Sequence, residues 1–278
     1  MMIEGLTNTP TGPERLKAYE DNWQTEMGAW FPGERVVLRG KDVFSELSNQ
    51  SWMEFMVFAI TGRDMSEFAR VIEAMWLISS SFPDPRLWNN RVAALAGTAR
   101  STTALAAAAG NAVSEASIYG LRTSRGALDF LQRTEKKLNE GATLEDIIKK
   151  ELHTYRAIYG YGRPLINIDE RIKPLLKFAY SAGYKKNTLL ILAFKIHDYF
   201  QTTKYKFQIN ISAIVAAISG DYGLTLNEFN DLAALSFSGG IFPCYIDARN
   251  NPEGSLFPLG VERILSTDQT TRTWKSEE

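Results

Sequence analysis

One cysteine, two histidines and no excess of either charge leave this chain few of the usual signs of function. Standing alone, Cys244 excludes an intramolecular disulfide and a cysteine-built metal site. His153 and His197 are the only imidazoles available as bases. Lys and Arg total 31 against 32 Asp and Glu, so no bulk charge draws the chain to nucleic acid or to a membrane surface. No apolar run is long enough to span a bilayer. Glu4, Glu14, Lys17 and Glu20 break up the segment Met1 to Glu20, which does not read as a signal peptide. A P-loop, a dinucleotide fingerprint, a nucleophile elbow and metal-ligand spacing are all missing. The expectation is a cytoplasmic protein that binds neither nucleic acid nor membrane, with no bound cofactor and no metal.

What remains is the composition of an ordinary globular chain, 45% hydrophobic and 23% charged over 278 residues, enough for one large domain or a main domain with a cap. Trp30 to Asp42 reads as a short strand and turn, with Val36-Val37-Leu38 bounded by Pro32-Gly33 and Gly40. Asp42 is then the N-cap of the first helical segment. Beyond it, apolar residues recur at spacings of three and four, as in Phe68-Val71-Ile72-Met75-Trp76, with Ser66 as a cap. Further helices are expected over 128–138, 143–155, 169–182, 187–199, 209–219 and 226–237. The tail after Leu265 is polar and arm-like.

Val92 to Ser117 is the compositional exception. Eleven of its 26 residues are alanine, with Gly97 and Gly110 besides, so helix backbones there can approach closely inside a bundle or across a dimer seam. Arg100, Asn111 and Glu115 argue against membrane insertion of the same stretch. The architecture is all-α.

The most specific motif is Gly160-Tyr161-Gly162-Arg163-Pro164-Leu165, followed by Asp169-x-Arg171. It joins Trp23 to Asp42, Asn90-Arg91-Val92-Ala93-Ala94, Ser124-Arg125-Gly126-Ala127-Leu128-Asp129 and Ile209-Asn210-Ile211-Ser212-Ala213 in one order along the chain. In that order and spacing, over roughly residues 22 to 263, the chain resembles the citrate synthase and citryl-CoA lyase superfamily. The family loop reads Gly-(Tyr/Phe)-Gly-His, with Asp-Pro-Arg shortly after. The resemblance implies a citrate-synthase-like fold with a large helical domain (1–155 and 216–278), a small helical domain (156–215) and a cleft between them. It also implies a homodimer that completes each site.

In the family an acyl-CoA is enolised, and its carbon is joined to or released from a 2-oxo acid. One histidine polarises the thioester carbonyl, an aspartate takes the α-proton, and a second histidine stabilises the oxo-acid oxygen. Such groups are required because a thioester α-proton does not leave without a base and an oxyanion partner. By resemblance the three positions fall on Ser124, Ser212 and Arg163, and none keeps the family residue. Where an imidazole would titrate near neutrality stands a guanidinium that keeps its proton. Of the substrate-clamping arginines, Arg171 matches. The others fall near Gly239 and Phe257-Pro258, and the basic residue for CoA phosphates falls on Asn167.

The residues themselves leave alternatives. Arg163 has the fork for a bidentate anion, or is a salt-bridge residue. Arg122 and Arg125 flank Ser124 on the turn before a helix, where backbone N–H groups favour anions; with Arg163 and Arg171 they form a cationic site or a solvated surface. Ser124 and Ser212 donate to a carbonyl or fill space. Tyr161 and Tyr159 donate hydrogen bonds or pack. Both histidines read as structural, Asp129 as orienting its turn, and Cys244 as buried. The candidate set is therefore Ser124, Arg163 and Ser212 as catalytic, Arg122, Arg125, Tyr161 and Arg171 as substrate-binding, and Gly160 and Gly162 as the loop that holds the CoA moiety. The expected function is formation or cleavage of a carbon–carbon bond on an acyl-CoA or related acyl substrate, other than standard citrate synthesis. The alternative is an inactive homologue acting as a ligand-binding or regulatory subunit.

Overall fold

A computed structural model describes residues 12–22, 25–80, 82–118, 120–162, 169–185 and 188–264. Arg163, Asn167 and the tail after Leu265 lie outside them. The chain divides into two compact units, 1–65 and 66–278.

In the first unit, helix α1 (Pro13–Tyr19) buries none of its residues. Strands β1 (Gly28–Phe31), β2 (Arg35–Leu38) and β3 (Lys41–Asp42) form an antiparallel sheet in that order, with Gly28 opposite Leu38 and Val37 opposite Asp42. Only β2 was legible as a strand, because two to four residues are too few to show alternation. Asp42 does cap a helical segment, a π-helical turn over Val43–Leu47; its Oδ1 accepts from the amides of Phe44 and Ser45. Helix α2 (Trp52–Thr61) opens on a Ser51–Glu54 capping box and ends at Gly62 in the left-handed region. The Arg39 guanidinium donates to the last carbonyls of α2, on Ala59 and Ile60.

The second unit is helical: α3 (Ser66–Ser79), α4 (Trp88–Thr98), α5 (Thr103–Ser114), α6 (Leu121–Asn139), α7 (Leu144–Tyr155), α8 (Ile172–Ser181), α9 (Thr188–Thr202), α10 (Ile211–Asp221), α11 (Leu226–Ser236) and α12 (Ser238–Asn250). Its centre is α10, where Ile211 and every residue from Ala213 to Ser219 are buried, as a helix apolar on all sides requires. It packs against α6 and α9, with Leu128 of α6 and Leu189 of α9 lying against Gly220 of α10. Asp221 at the end of α10 accepts from the Leu189 amide at the start of α9. Tyr184 donates to the same carboxylate, and burial and that carboxylate push its phenol upward.

Two helices of the second unit depart most from the sequence reading. Helix α6 begins at Leu121, seven residues before the expected start, so Ser124, Arg122 and Arg125 lie within its first two turns and not on a preceding turn. Helix α12 was not expected; its segment carries Gly239, Gly240 and Pro243, which are unfavourable in isolated helices. It is the main neighbour of α4, with Ala93, Ala106, Ile241 and Tyr245 forming a shared buried cluster among α4, α5 and α12. Ala93, Ala94, Gly97, Ala106 and Gly110 thus serve close packing inside the bundle, while Ala104, Ala108, Ala109 and Ala112 of α5 are exposed. Cys244 on α12 is buried beside Ala94 and Ala248, and burial raises its thiol to about 11.

Helices α4 and α12 end side by side, and Arg100 joins the two ends. Its guanidinium donates to the carbonyls of Gly97, Ala248, Arg249 and Asn251, which have no further helical turn to accept from. Arg100→Met, which keeps the aliphatic stem, is expected to lower stability by about 2–3 kcal/mol, from lost charged hydrogen bonds and helix-end electrostatics. A shift of the urea midpoint worth less than about 0.5 kcal/mol would show that water replaces the guanidinium.

Candidate functional site

Three segments distant in sequence meet at the start of α10. The first is the opening of α6, anchored from outside by the Trp88 indole, which donates to the Ile118 carbonyl at 2.9 Å just ahead of it. The second is the loop 158–162. The third is Asn210-Ile211-Ser212.

Gly160 brings them together. It has φ +90° and is buried, and a side chain there would lie 2.8 Å from Ala213 Cβ on α10 and 3.2 Å from Ala127 Cβ on α6. Only a residue without Cβ lets the loop sit between the two helices. Tyr161 forms an antiparallel bridge with Ile209, and Gly162 N donates to the Gln208 carbonyl at 2.6 Å. Asn210 completes the join. Its backbone N donates to Gly160 O at 2.9 Å, its Nδ2 to Gly162 O at 2.8 Å, and its Oδ1 accepts from Ser212 N at 2.9 Å.

The result places Ser124 and Ser212 in contact. Ser124 Oγ donates to Ser212 Oγ at 3.1 Å across 88 positions of sequence. Thr123 Oγ1 lies 3.3 Å from Ser212 Oγ and donates to Gly120 O at 2.8 Å. With the Thr123 proton on Gly120, Ser212 is the donor to Thr123. Protons therefore run Ser124 to Ser212 to Thr123 to a backbone carbonyl. That carbonyl accepts a hydrogen bond but takes up no proton, so the chain orients hydroxyls and does not act as a base.

The other candidates are placed as follows. Arg122 and Arg125 are exposed on α6, one residue to either side of Thr123-Ser124, and neither pairs with a carboxylate among the described residues. Tyr161 turns away from the serines: its hydroxyl donates to Ala193 O on α9 at 2.8 Å, its ring meets Phe200, and burial pushes its phenol well up. The Tyr159 ring instead lies over Gly126 of α6, 2.2 Å from where a Cβ would stand. Arg171 is engaged on both sides. Its Nε and a terminal nitrogen bind the fully buried Asp169 carboxylate at 2.8 Å each, and its other terminal nitrogen reaches Ser79 O at 3.3 Å. Asp169 Oδ2 also accepts from Ile211 N at 2.8 Å. Hence Gly162 and Asp169 are both tied to the first turn of α10.

The other titratable groups singled out in the sequence lie away from the serine pair. Asp129 and Glu151 both pair with Arg133, and His153 is exposed at the end of α7. His197 Nδ1 accepts from Ile209 N at 3.3 Å, bracing the residue before Asn210. Among the described residues no group of three His, Cys, Asp or Glu could hold a metal ion, and no helix is long and apolar enough to cross a membrane. A groove of ≈ 250 Å³ between α8 and α9, lined by residues such as Tyr180, Ile191 and Phe194, contains none of the candidate residues. Thr123 and Asn210 are the contributors that sequence reasoning passed over. Asn210 carried a signal, a cap residue directly before an apolar helix; Thr123 carried none.

Solved structures give the comparison. The chain superposes on citryl-CoA lyase from Hydrogenobacter thermophilus with a TM-score of 0.77 at 19% identity, over 91% of this chain and 98% of that one. It has the citrate synthase and citryl-CoA lyase fold. ATP citrate lyase from Methanothrix soehngenii, solved with citrate and coenzyme A, aligns at 0.72 and 17% identity over 97% of this chain and 46% of that one. Citrate synthase from Thermotoga maritima aligns at 0.57 and 14%, over 82% and 60%. No family model and no curated protein matches the sequence. The likeness is one of fold. Within this citrate-synthase-type fold, the segments that carry Ser124, Gly160 and Ser212 meet at one point, and among the described residues neither serine is bonded to an imidazole or a carboxylate.

Proposed function

We propose that this chain handles an acyl-CoA, or a related acyl substrate, in the manner of a carbon–carbon bond-forming or bond-cleaving enzyme, by a route other than standard citrate synthesis. The observation that carries the reading is the Ser124–Ser212 contact of 3.1 Å where α6, α10 and the glycine loop converge. When a thioester is enolised, its α-carbon loses a proton and negative charge gathers on the carbonyl oxygen. A hydroxyl aimed at that oxygen stabilises the charge. Ser124 meets it by turning its O–H from Ser212, which gives up one neutral hydrogen bond worth about 1 kcal/mol. The exposed Arg122 and Arg125, beside the N-terminal amides of α6, supply positive potential for a carboxylate or phosphate. Arg163 belongs to the same proposal as a further anion ligand, Gly160 and Gly162 as the close backbone approach to the CoA moiety, and Arg171 as a substrate ligand once released from Asp169.

One observation favours a second reading, a ligand-binding or regulatory subunit without turnover. Enolisation needs a base, and the hydroxyl chain ends on the Gly120 carbonyl. The proposal further includes a large domain of 1–155 and 216–278, a small domain of 156–215, a cytoplasmic location, and a homodimer formed through α4 and α5, whose Leu95 and Leu105 are 46% and 63% exposed.

Calorimetry with CoA, acetyl-CoA and oxaloacetate, followed by a turnover assay, separates the readings. Binding with turnover supports the enzyme, binding alone supports the ligand-binding subunit, and no binding removes the enzyme reading. Ser124→Ala is expected to weaken acetyl-CoA roughly five- to tenfold, as one hydrogen bond is lost, while leaving CoA affinity and Tm nearly unchanged. Equal weakening of CoA and acetyl-CoA would remove Ser124 from the acyl site.

A further inference from the structure

We infer that Asn210 is a positioning residue, the side chain that among the described residues sets the glycine loop against the helix start bearing Ser212. This rests on the reading that the serine pair meets an acyl substrate.

An ordinary N-cap satisfies only the open amides of its own helix. Asn210 does that through Oδ1, which accepts from Ser212 N at 2.9 Å. It then reaches out of the helix: Nδ2 donates to Gly162 O at 2.8 Å, and its backbone N to Gly160 O at 2.9 Å. Oδ1 faces a donor and Nδ2 faces an acceptor, so the amide has one orientation, and both of its ends are used. No other N-cap residue offers this pair. Serine and threonine are too short to span both partners, and aspartate has no donor for Gly162. Among the described residues the loop's other backbone bond here, Gly162 N to Gln208 O, lies before the helix begins, and its remaining hold on α10 is the packing of Gly160 against Ala213. Removing the Nδ2 contact therefore leaves α10 capped but frees the Gly162 carbonyl and lets the loop shift relative to Ser212.

Two variants separate position from capping. Asn210→Ser keeps a capping hydroxyl and loses the reach to Gly162. Asn210→Asp keeps shape and cap but sets a carboxylate oxygen against the Gly162 carbonyl. For both, amide exchange of Tyr161 and Gly162 is expected to speed up about tenfold or more while amides of Val215 to Ile218 are unchanged. Acetyl-CoA affinity is expected to fall about tenfold with little change in Tm. Wild-type exchange at Tyr161 and Gly162 together with wild-type binding in Asn210→Ser would make Asn210 a helix cap and overturn the inference. Global unfolding of both variants would overturn it too, by making the side chain a fold determinant. If the wild-type protein binds no acetyl-CoA, the functional reading fails by itself, and the exchange measurement still decides whether Asn210 holds the loop.

Discussion

Gly160→Ala is expected to destabilise the protein by about 2–6 kcal/mol and to abolish whatever binding the serine pair supports. Two costs add. At φ +90° any residue with a Cβ is strained, by about 1–3 kcal/mol. The new methyl would also lie 2.8 Å from Ala213 Cβ and 3.1 Å from Ala213 Cα, with Ala127 Cβ at 3.2 Å. None of these is the free end of a flexible side chain, so relief requires α6 and α10 to part, at a further cost of about 1–3 kcal/mol. Parting them separates Ser124 from Ser212. Gly141→Ala is the control, since Gly141 has φ +92° with nothing within 4 Å of a Cβ, and only the backbone cost applies. Thermal unfolding should place Gly160→Ala below Gly141→Ala by roughly 2–4 °C for each kcal/mol of packing cost. Equal stability of the two would show that the loop is not wedged between helices.

How much of this was readable in the sequence depends on range. The cap at Asp42 and the helices of 143–155 and 226–237 followed from local chemistry, and they are found within a residue or two. The order of motifs gave the fold, and it set Ser124, the glycine loop and Ser212 down as separate marks on the chain. Their meeting was not legible, because it rests on a single bridge pair, Tyr161 with Ile209, and on one asparagine amide. Such contacts leave no periodicity. The start of α6 was missed because Thr123, Ser124 and Gly126 are poor helix formers individually, yet burial of Leu121, Ala127 and Leu128 outweighs their preference. Helix α12 was missed for the reverse reason. Its glycines and proline break isolated helices, but here Gly240 lies against Asn90, and tertiary packing holds the segment. Arg171 shows a third limit. A guanidinium free to bind a substrate and one locked to a buried aspartate two residues away have the same sequence.

The second large effect lies away from the candidate site, at Gly97. In an isolated helix Gly→Ala stabilises by roughly 0.8–1 kcal/mol, so propensity alone predicts a gain. At Gly97 the added methyl would meet Tyr245 O at 2.4 Å, Arg249 N at 3.0 Å and Ala248 Cβ at 3.2 Å, all on α12. Two of the three are backbone atoms that no rotamer change can move. Helices α4 and α12 must separate, loosening the cluster of Ala93, Ile241 and Tyr245, and the net expectation is a loss of about 2–3 kcal/mol. The sign decides between propensity and packing, and a stabilised Gly97→Ala would refute the close contact. The same separation draws the Ala248 and Arg249 carbonyls away from Arg100. Gly97→Ala and Arg100→Met should therefore not add: the double variant should lose at least about 0.5 kcal/mol less than the sum of the two, as expected for changes that break one junction. Strict additivity would mean that Arg100 follows α12 as it moves, and that the guanidinium closes the helix ends without fixing the distance between them.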